Sequence, residues 1–167
     1  MNDQPIYRVL FLCTANSARS VLAEAALQRA GAGRFEAFSA GSTPRGQVNP
    51  AALELLAAEG FDISRFRSKS WDEFAAPGAP ELDFIITLCD SAAGEACPVW
   101  PGRPVSAHWG LPDPASVDGE AERRAAFAAT LRALEARIEQ LLQLPIAELD
   151  ATELKRRLAA IGAPAAA

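Results

Sequence analysis

The 167-residue sequence has little of what membrane-spanning, disulfide-rich and metal-binding proteins need. It contains one histidine and three cysteines, and no apolar run approaches the roughly 18 residues that span a bilayer. The N-terminal residues lack the basic region and cleavage site of a signal peptide, so we expect a cytoplasmic protein without membrane contact. Three cysteines are too few for a disulfide scaffold, and in the cytosol they are more often catalytic, redox-active, metal-binding or buried.

The charged residues narrow the function further. The formal net charge is −5, and an acidic surface repels phosphate backbones, so we expect no nucleic-acid partner. Only Lys69 and Lys155 are lysines among the 16 basic residues, and the rest are arginines. The planar guanidinium of arginine matches a tetrahedral oxyanion better than an ammonium does. The composition therefore disfavours nucleic-acid binding, and its basic residues are mostly of the type that best holds a tetrahedral oxyanion.

Short apolar runs predict four strands, with helices between them. The predicted strands cover residues 7–12, 34–39, 82–88 and 103–109, the last at a sheet edge because of Pro104. The predicted helices cover residues 20–30, 50–59, 118–144 and about 150–161. This order predicts an α/β fold with a small four-stranded parallel sheet and helices on both faces. We expect a single domain over residues 1–167, with a C-terminal helical extension from about residue 146.

Cys13 stands where the first strand ends, and Arg19 and Ser20 follow at the start of the first helix. A strand-to-helix loop can point its N–H groups at one centre, and the helix N-terminus adds attraction for an anion. We predict that the loop binds an oxyanion, with the Arg19 guanidinium holding two of its oxygens. The predicted oxyanion-binding residues are Thr14, Ala15, Asn16, Ser17, Ala18, Arg19 and Ser20.

The same surroundings predict a nucleophile. A helix N-terminus and a neighbouring arginine lower the pKa of a thiol, so Cys13 is expected to attack the central atom of the bound oxyanion as a thiolate. Asn16 is suited to the positive φ of a tight loop, and the Ser20 hydroxyl is expected to donate to the thiolate. A strand-end cysteine is otherwise a small core residue, but its place between an apolar strand and a helix favours the functional interpretation.

This loop resembles that of the low-molecular-weight protein tyrosine phosphatase family. The resemblance implies a general acid in an Asp-Pro pair, which here is Asp113-Pro114. Residues 87–115, T-L-C-D-S-A-A-G-E-A-C-P-V-W-P-G-R-P-V-S-A-H-W-G-L-P-D-P-A, resemble the arsenate reductases built on that fold, whose two additional cysteines are here Cys89 and Cys97. The chain departs from the family loop at Ala15, where glycine is frequent, and at Ala18, where cysteine is frequent.

The resemblance implies reduction of arsenate to arsenite by a thiol relay without a bound cofactor. Cys13 would attack arsenate while Asp113 protonates the departing oxygen. Cys89 would then attack the Cys13 sulfur, and Cys97 would move the disulfide outward as a Cys89–Cys97 pair. Thioredoxin, or glutaredoxin with glutathione, would reduce this disulfide. Phosphate or sulfate would compete with arsenate for the loop.

Two other functions compete with this interpretation. A phosphotyrosine phosphatase would use the same Cys13 and Asp113, but the tyrosines that such phosphatases place after Asp-Pro are replaced here by residues 115–117, A-S-V. A zinc site of Cys13, Cys89, Cys97 and His108 lacks the paired cysteine spacing of structural zinc proteins, so we expect no metal there. His108 is then expected to be a packing or hydrogen-bonding residue.

The roles of two sets of polar residues remain open. A monovalent cation behind the loop, as in some relatives, would be held by Asn16, Glu24, Ser39 and Asp62. The basic run of Arg65, Arg67 and Lys69 is either a solvated loop or an electrostatic guide for an anionic substrate.

Overall fold

Four parallel strands form one sheet in this computed structural model, which describes residues 5–89 and 104–163. The strands are β1 Tyr7–Leu12, β2 Phe35–Ala40, β3 Phe84–Thr87 and β4 Val105–His108. Their order is β2-β1-β3-β4, so β4 is an edge strand as predicted. The register pairs Leu12 of β1 with Ala40 of β2 and with Thr87 of β3. All strands are parallel, so their carboxyl ends meet at one edge of the sheet, where open α/β sheets bind ligands.

Four α-helices connect and cover the strands. They are α1 Arg19–Ala30, α2 Pro50–Ala58, α3 Glu120–Leu142 and α4 Ala151–Gly162. The side chains of Asn49 and Asp150 cap α2 and α4, as the sequence predicts, by accepting from Ala51 N (2.9 Å) and Glu153 N (2.8 Å). The predicted helix 118–144 is two residues too long at each end of α3, and at its start the φ of 89° at Gly119 is not helical, so the helix begins at Glu120. Within the described residues, no helix is long and apolar enough to cross a membrane.

Helical segments cover both faces of the sheet. Val9 and Phe11 of β1 belong to the larger buried cluster, which also contains side chains of all four α-helices. Leu10 and Leu12 point to the other face, where the short 3₁₀ helix Trp71–Phe74 supplies Phe74. The predicted four-stranded parallel α/β sheet is confirmed, and strand alternation explains the division of its core.

Candidate active site

Residues 13–18 form a tight turn between the end of β1 and the start of α1. Asn16 has a φ of 46° and is the one non-glycine residue with positive φ in the described part of the chain. Its side chain is fully buried, and its Nδ2 donates to Ser20 Oγ (2.8 Å). Ser20 Oγ accepts this bond, so its O–H proton is not used by Asn16. The side chain of Asn16 fixes the turn internally.

The carbonyl groups of this loop accept hydrogen bonds from outside it. The donor–acceptor pairs are Thr43 N to Thr14 O (2.9 Å), Arg45 N to Ala15 O (3.0 Å), Ser68 Oγ to Ala15 O (3.1 Å) and Asn49 N to Ser17 O (2.8 Å). Within the residues that the structure describes, the N–H groups of positions 15–18 donate to no protein acceptor. A loop whose carbonyls are engaged and whose N–H groups remain as donors has the electrostatics of an anion site.

Gly41, directly after β2, allows the neighbouring chain to approach the loop. A Cβ atom at this position would lie 2.4 Å from Thr14 O, 2.8 Å from Cys13 O and 3.0 Å from Asn16 N. These are backbone atoms, so they cannot turn away as a side chain would. The sequence analysis assigned no role to Gly41, although a glycine just after a predicted strand was a signal that could have identified it.

We expect Gly41→Ala to weaken oxyanion binding, because the methyl group must displace the loop backbone. The free energy of unfolding should fall by about 1–3 kcal/mol, and the Kd for inorganic phosphate should rise on the order of tenfold, the equivalent of one misaligned hydrogen bond to an ion. Isothermal titration with phosphate measures this. Gly60→Ala is the matched control, since Gly60 has a φ of +88° and no heavy atom within 4 Å of the added Cβ. It should cost stability alone, and unchanged phosphate affinity in Gly41→Ala would contradict the assignment.

Cys89 lies against Cys13 at the carboxyl ends of two adjacent strands. Leu88 N donates to Leu12 O (2.9 Å), and this continuation of the β1–β3 pairing brings the next residues of both strands together. The two cysteines form their own buried contact, with 5% and 6% of their surfaces exposed, and both are thiols rather than a disulfide. Thr14 Oγ1 is 3.5 Å from Cys89 Sγ. The first two cysteines of the expected relay are thus already adjacent.

The pKa of the Cys13 thiol is raised above its ordinary value, whereas the sequence predicts that it is lowered. The hydrogen bond with Cys89 is the largest cause, and burial is the second. The positive charge of Arg19 and the N–H of Thr14 act in the opposite direction. Sequence reasoning considered only these loop effects, because the contact with Cys89 depends on strand register. In this conformation Cys13 is therefore held as a thiol.

Arg19 links the loop to the segment that carries the expected acid. Its Nη1 donates to Leu111 O (2.8 Å), and Leu111 N donates to Leu88 O (3.0 Å). Its Nε is buried and has no hydrogen-bond partner within the described residues, so this N–H is left for a ligand oxygen. Asp113 follows Leu111 by two residues, which span at most about 7 Å of chain. The backbone of Asp113 therefore lies within this distance of the residue that Arg19 holds.

Asp113 also lines a cleft of about 560 Å³ that opens beside the loop. The cleft is shared with Arg45 and Asn49, whose backbone N–H groups bind the loop carbonyls. Asp113 Oδ1 accepts from Ala115 N (3.0 Å) and caps the 3₁₀ turn Pro114–Ser116. This hydrogen bond through one carboxylate oxygen fixes the orientation of the side chain.

The segment before Asp113 is anchored by the two C-terminal helices. Trp109 is fully buried, and its Nε1 donates to Leu158 O of α4 (2.8 Å). Arg137 Nη1 of α3 donates to Trp109 O (2.8 Å). His108 Nδ1 lies 2.7 Å from Thr87 Oγ1, which agrees with the hydrogen-bonding role expected for it. Across residues 5–89 and 104–163, no three His, Cys, Asp or Glu side chains are grouped as metal ligands.

The predicted basic run does not act as one surface. Arg67 forms a bidentate pair with Glu73, at 3.0 and 2.6 Å. Lys69 is buried beside Glu24, and Arg65 lies over the Phe66 ring. Two of the three cations are thus committed to carboxylates of the chain itself, which disfavours an electrostatic guide. Cys97, the third predicted cysteine, lies outside the described residues.

Known proteins share this sequence and fold. The sequence pattern of the low molecular weight phosphotyrosine protein phosphatase family matches residues 8–158. The arsenate reductase of Halalkalibacterium halodurans is 37% identical over 124 residues, which are 74% of this chain and 84% of that protein.

Two solved structures extend the likeness. An arsenate reductase in a phosphate-binding state superimposes with a TM-score of 0.67 and 28% identity, covering 82% of this chain and 97% of that one. A thioredoxin-dependent arsenate reductase of Corynebacterium glutamicum gives a TM-score of 0.60 and 26% identity over 85% of this chain. This chain spans 63% of the length of that protein.

The chain therefore belongs to the low molecular weight phosphotyrosine protein phosphatase family, and within it to the group that contains these arsenate reductases. The fold predicted from the strand and helix pattern is the fold of this family.

Proposed function

We propose that this protein reduces arsenate to arsenite, with Cys13 as nucleophile, Asp113 as general acid, and Cys89 and Cys97 as successive partners in a disulfide relay. The observation that carries this proposal is the buried contact between Cys13 and Cys89 beside an anion-binding loop. Hydrolysis of a phosphoester needs only one thiol, whereas transfer of two electrons to arsenic needs a second thiol that can reach the first.

The first step forms a bond between Cys13 and arsenic. The N–H groups of the loop and the Nε of Arg19 bind the oxygens of arsenate, which has the shape and charge of phosphate. Cys13 first loses its thiol proton to the solvent, its thiolate attacks arsenic(V), and Asp113 gives its own proton to the arsenate oxygen that leaves as water. The product is a covalent thiol–arsenate adduct on Cys13.

The second step reduces arsenic. Deprotonated Cys89 attacks the Cys13 sulfur, and a Cys13–Cys89 disulfide forms as the sulfur–arsenic bond breaks. The electron pair of that bond stays on arsenic, which leaves as arsenite, and the two thiols have supplied both electrons. The contact between the two cysteines supports this step, because the attacking sulfur needs little movement.

The third step restores Cys13. Cys97 attacks Cys89, Cys13 leaves as a thiolate, and the Cys89–Cys97 disulfide is reduced by an external dithiol. We propose thioredoxin as this partner, because one structural neighbour is a thioredoxin-dependent enzyme. Glutaredoxin with glutathione is the alternative. A cytoplasmic location agrees with this need for reducing partners.

A weaker phosphatase activity accompanies the main one in this proposal. Membership of a phosphotyrosine phosphatase family supports it, and so does the use of the same nucleophile and acid. Ala115 and Ser116, which follow the Asp-Pro pair and line the cleft, carry no aromatic ring. We therefore expect slow hydrolysis of aryl phosphates without a preference for phosphotyrosine.

Coupled assays test the proposal and its partner. Arsenate should drive NADPH oxidation in the presence of thioredoxin and thioredoxin reductase, and more slowly with glutaredoxin, glutathione and glutathione reductase. Hydrolysis of p-nitrophenyl phosphate by the same preparation should be slow. Phosphatase turnover without arsenate-dependent NADPH oxidation in either system would overturn the reductase proposal and favour the phosphatase. Faster turnover with glutaredoxin would reassign the reductant alone.

A further inference from the structure

A buried ion pair adjoins the oxyanion loop and takes no part in the relay. Glu24 of α1 and Lys69 approach to 3.8 Å between Oε1 and Nζ, and each side chain is only 9% exposed. Glu24 Oε1 also accepts from Ser39 Oγ of β2 (2.5 Å), and Lys69 Nζ donates to Arg67 O (3.1 Å). Charged side chains are buried only at a cost, so such a pair requires an explanation.

The backbone of Lys69 holds the two residues that shape the loop. Lys69 N donates to Asn16 Oδ1 (2.9 Å), and Lys69 O accepts from Gly41 N (3.0 Å). Asn16 carries the positive φ of the turn, and Gly41 is the point of close approach to it. The position of Lys69 is thereby coupled to the geometry of the anion site.

The same region was expected to hold a monovalent cation, and its residues do not fit one. The oxygens considered for that role belong to Asn16, Glu24, Ser39 and Asp62. The amide oxygen of Asn16 already accepts from Lys69, and the Ser39 hydroxyl donates to Glu24. Asp62 is exposed and accepts from Ser64. A metal cation beside Glu24 would also face the ammonium of Lys69, which repels it.

We propose that the Lys69 ammonium is the built-in counter-ion of this site and neutralises the charge of Glu24. With this pair in place, the Lys69 backbone holds the loop in the geometry that binds an oxyanion, and no monovalent metal ion is needed. Lys69 is then a positioning residue. This inference rests on the oxyanion-binding part of the proposed function and extends it to the salt dependence of the site.

Burial and the partner's charge act in opposite directions on each member of the pair. Burial raises the pKa of Glu24 and lowers the pKa of Lys69, and each charge opposes the shift of its partner. Removing the ammonium leaves a buried carboxylate without its counter-ion. Such a carboxylate takes up a proton or another cation, and K⁺ from the solvent can replace the missing charge.

Phosphate titrations in different salts test the inference. The Kd of the wild type for inorganic phosphate should agree within about twofold in choline chloride, NaCl and KCl at equal ionic strength. Lys69→Met should bind phosphate on the order of tenfold more weakly in choline chloride, in the usual range for coupled sites, and KCl should restore most of this loss. In the arsenate assay the same variant should regain its KM in KCl. Lys155→Met is the matched control, because Lys155 is exposed on α4, and its phosphate binding should follow the wild type.

A second variant removes both charges. Lys69→Met combined with Glu24→Gln should bind phosphate equally well in KCl and in choline chloride, because no buried carboxylate remains to recruit K⁺. This variant keeps the inference testable if the single variant does not fold, which thermal unfolding will show. Dependence of the double variant on K⁺ would overturn the inference.

The remaining outcomes separate this inference from the proposed function. A wild type that binds phosphate only in KCl overturns the built-in counter-ion and leaves the reductase proposal intact. Unchanged phosphate binding in Lys69→Met also overturns it, and so does a loss that neither KCl nor the added Glu24→Gln substitution repairs. A wild type that fails to bind phosphate or arsenate in every salt overturns the oxyanion site itself and the proposed function with it.

Discussion

Cys13→Ser is expected to abolish arsenate reduction and aryl phosphate hydrolysis together, since both reactions begin at the same sulfur atom. A serine hydroxyl is a far weaker nucleophile at neutral pH, and it cannot form the disulfide that releases arsenite. We expect each rate to fall by about 10⁴-fold or more, as for loss of the nucleophile in other covalent enzymes. The two coupled assays and p-nitrophenyl phosphate hydrolysis measure this directly.

Phosphate binding is the control for that variant. The donors of the loop are its backbone N–H groups and Arg19, and none of them depends on the Cys13 sulfur. Cys13→Ser should therefore keep a Kd for phosphate close to that of the wild type and unfold at a similar temperature. Arsenate reduction that survives in a folded Cys13→Ser protein would contradict the relay at its first step.

Local patterns were sufficient to predict the loop and the elements around it. The strand that ends just before Cys13, the positive φ of Asn16 and the caps at Asn49 and Asp150 all follow from residues close together in sequence. Each is decided by backbone sterics or by one side chain bonding to a nearby N–H. Such features do not depend on how distant segments pack.

The sequence could not reveal features that depend on the packing of distant segments. Cys13 contacts Cys89 because β1 and β3 are neighbours in register, and this contact raises the pKa of Cys13 against the expectation from the loop alone. Lys69 looks like one member of a basic run, but it is buried against Glu24, which is 45 positions earlier in the chain. Gly41 is required because another segment passes within 2.4 Å of the place where its Cβ would be.

In the proposed mechanism, Arg19 couples oxyanion binding to the placement of the general acid. The sequence predicts that its guanidinium holds two oxygens of the ligand, yet Nη1 is bonded to Leu111 O and the buried Nε lacks a partner in the described residues. The residue therefore divides its donors between the anion site and the segment that carries Asp113. Binding of an oxyanion at Arg19 and the placement of the acid are consequently parts of one hydrogen-bonded unit.

The third cysteine separates the relay from a two-thiol reaction, and Cys97→Ser is its test. This variant keeps Cys13 and Cys89, so one equivalent of arsenate should leave it with a Cys13–Cys89 disulfide that thioredoxin reduces poorly. The wild type treated in the same way should hold a Cys89–Cys97 disulfide, with Cys13 available for alkylation. Peptide mapping after alkylation identifies each pair, and normal turnover of Cys97→Ser with thioredoxin would remove Cys97 from the mechanism.

Cys89→Ser should abolish arsenate reduction and leave phosphate ester hydrolysis largely intact. The anion loop, Cys13 and Asp113 all remain, so hydrolysis of p-nitrophenyl phosphate should persist within a few-fold of the wild-type rate. Catalytic formation of arsenite should fall to background, because no neighbouring thiol can attack the Cys13–arsenate adduct. Loss of both activities in a folded protein, or retention of arsenate reduction, would each contradict the assignment of Cys89 as the second thiol.

The same variant should also move the titration of Cys13. The contact with Cys89 is the largest cause of the raised pKa of the Cys13 thiol, and Arg19 and the Thr14 N–H, which lower it, stay in place. Removing the Cys89 thiol therefore lowers the pKa, so a larger fraction of Cys13 is thiolate at any given pH below the wild-type midpoint. The rate of Cys13 alkylation by iodoacetamide, followed against pH by peptide mapping, should rise at lower pH in Cys89→Ser than in the wild type. Cys97→Ser retains Cys89 and should follow the wild-type profile, whereas an unchanged profile in Cys89→Ser would show that burial, and not the neighbouring thiol, holds the proton on Cys13.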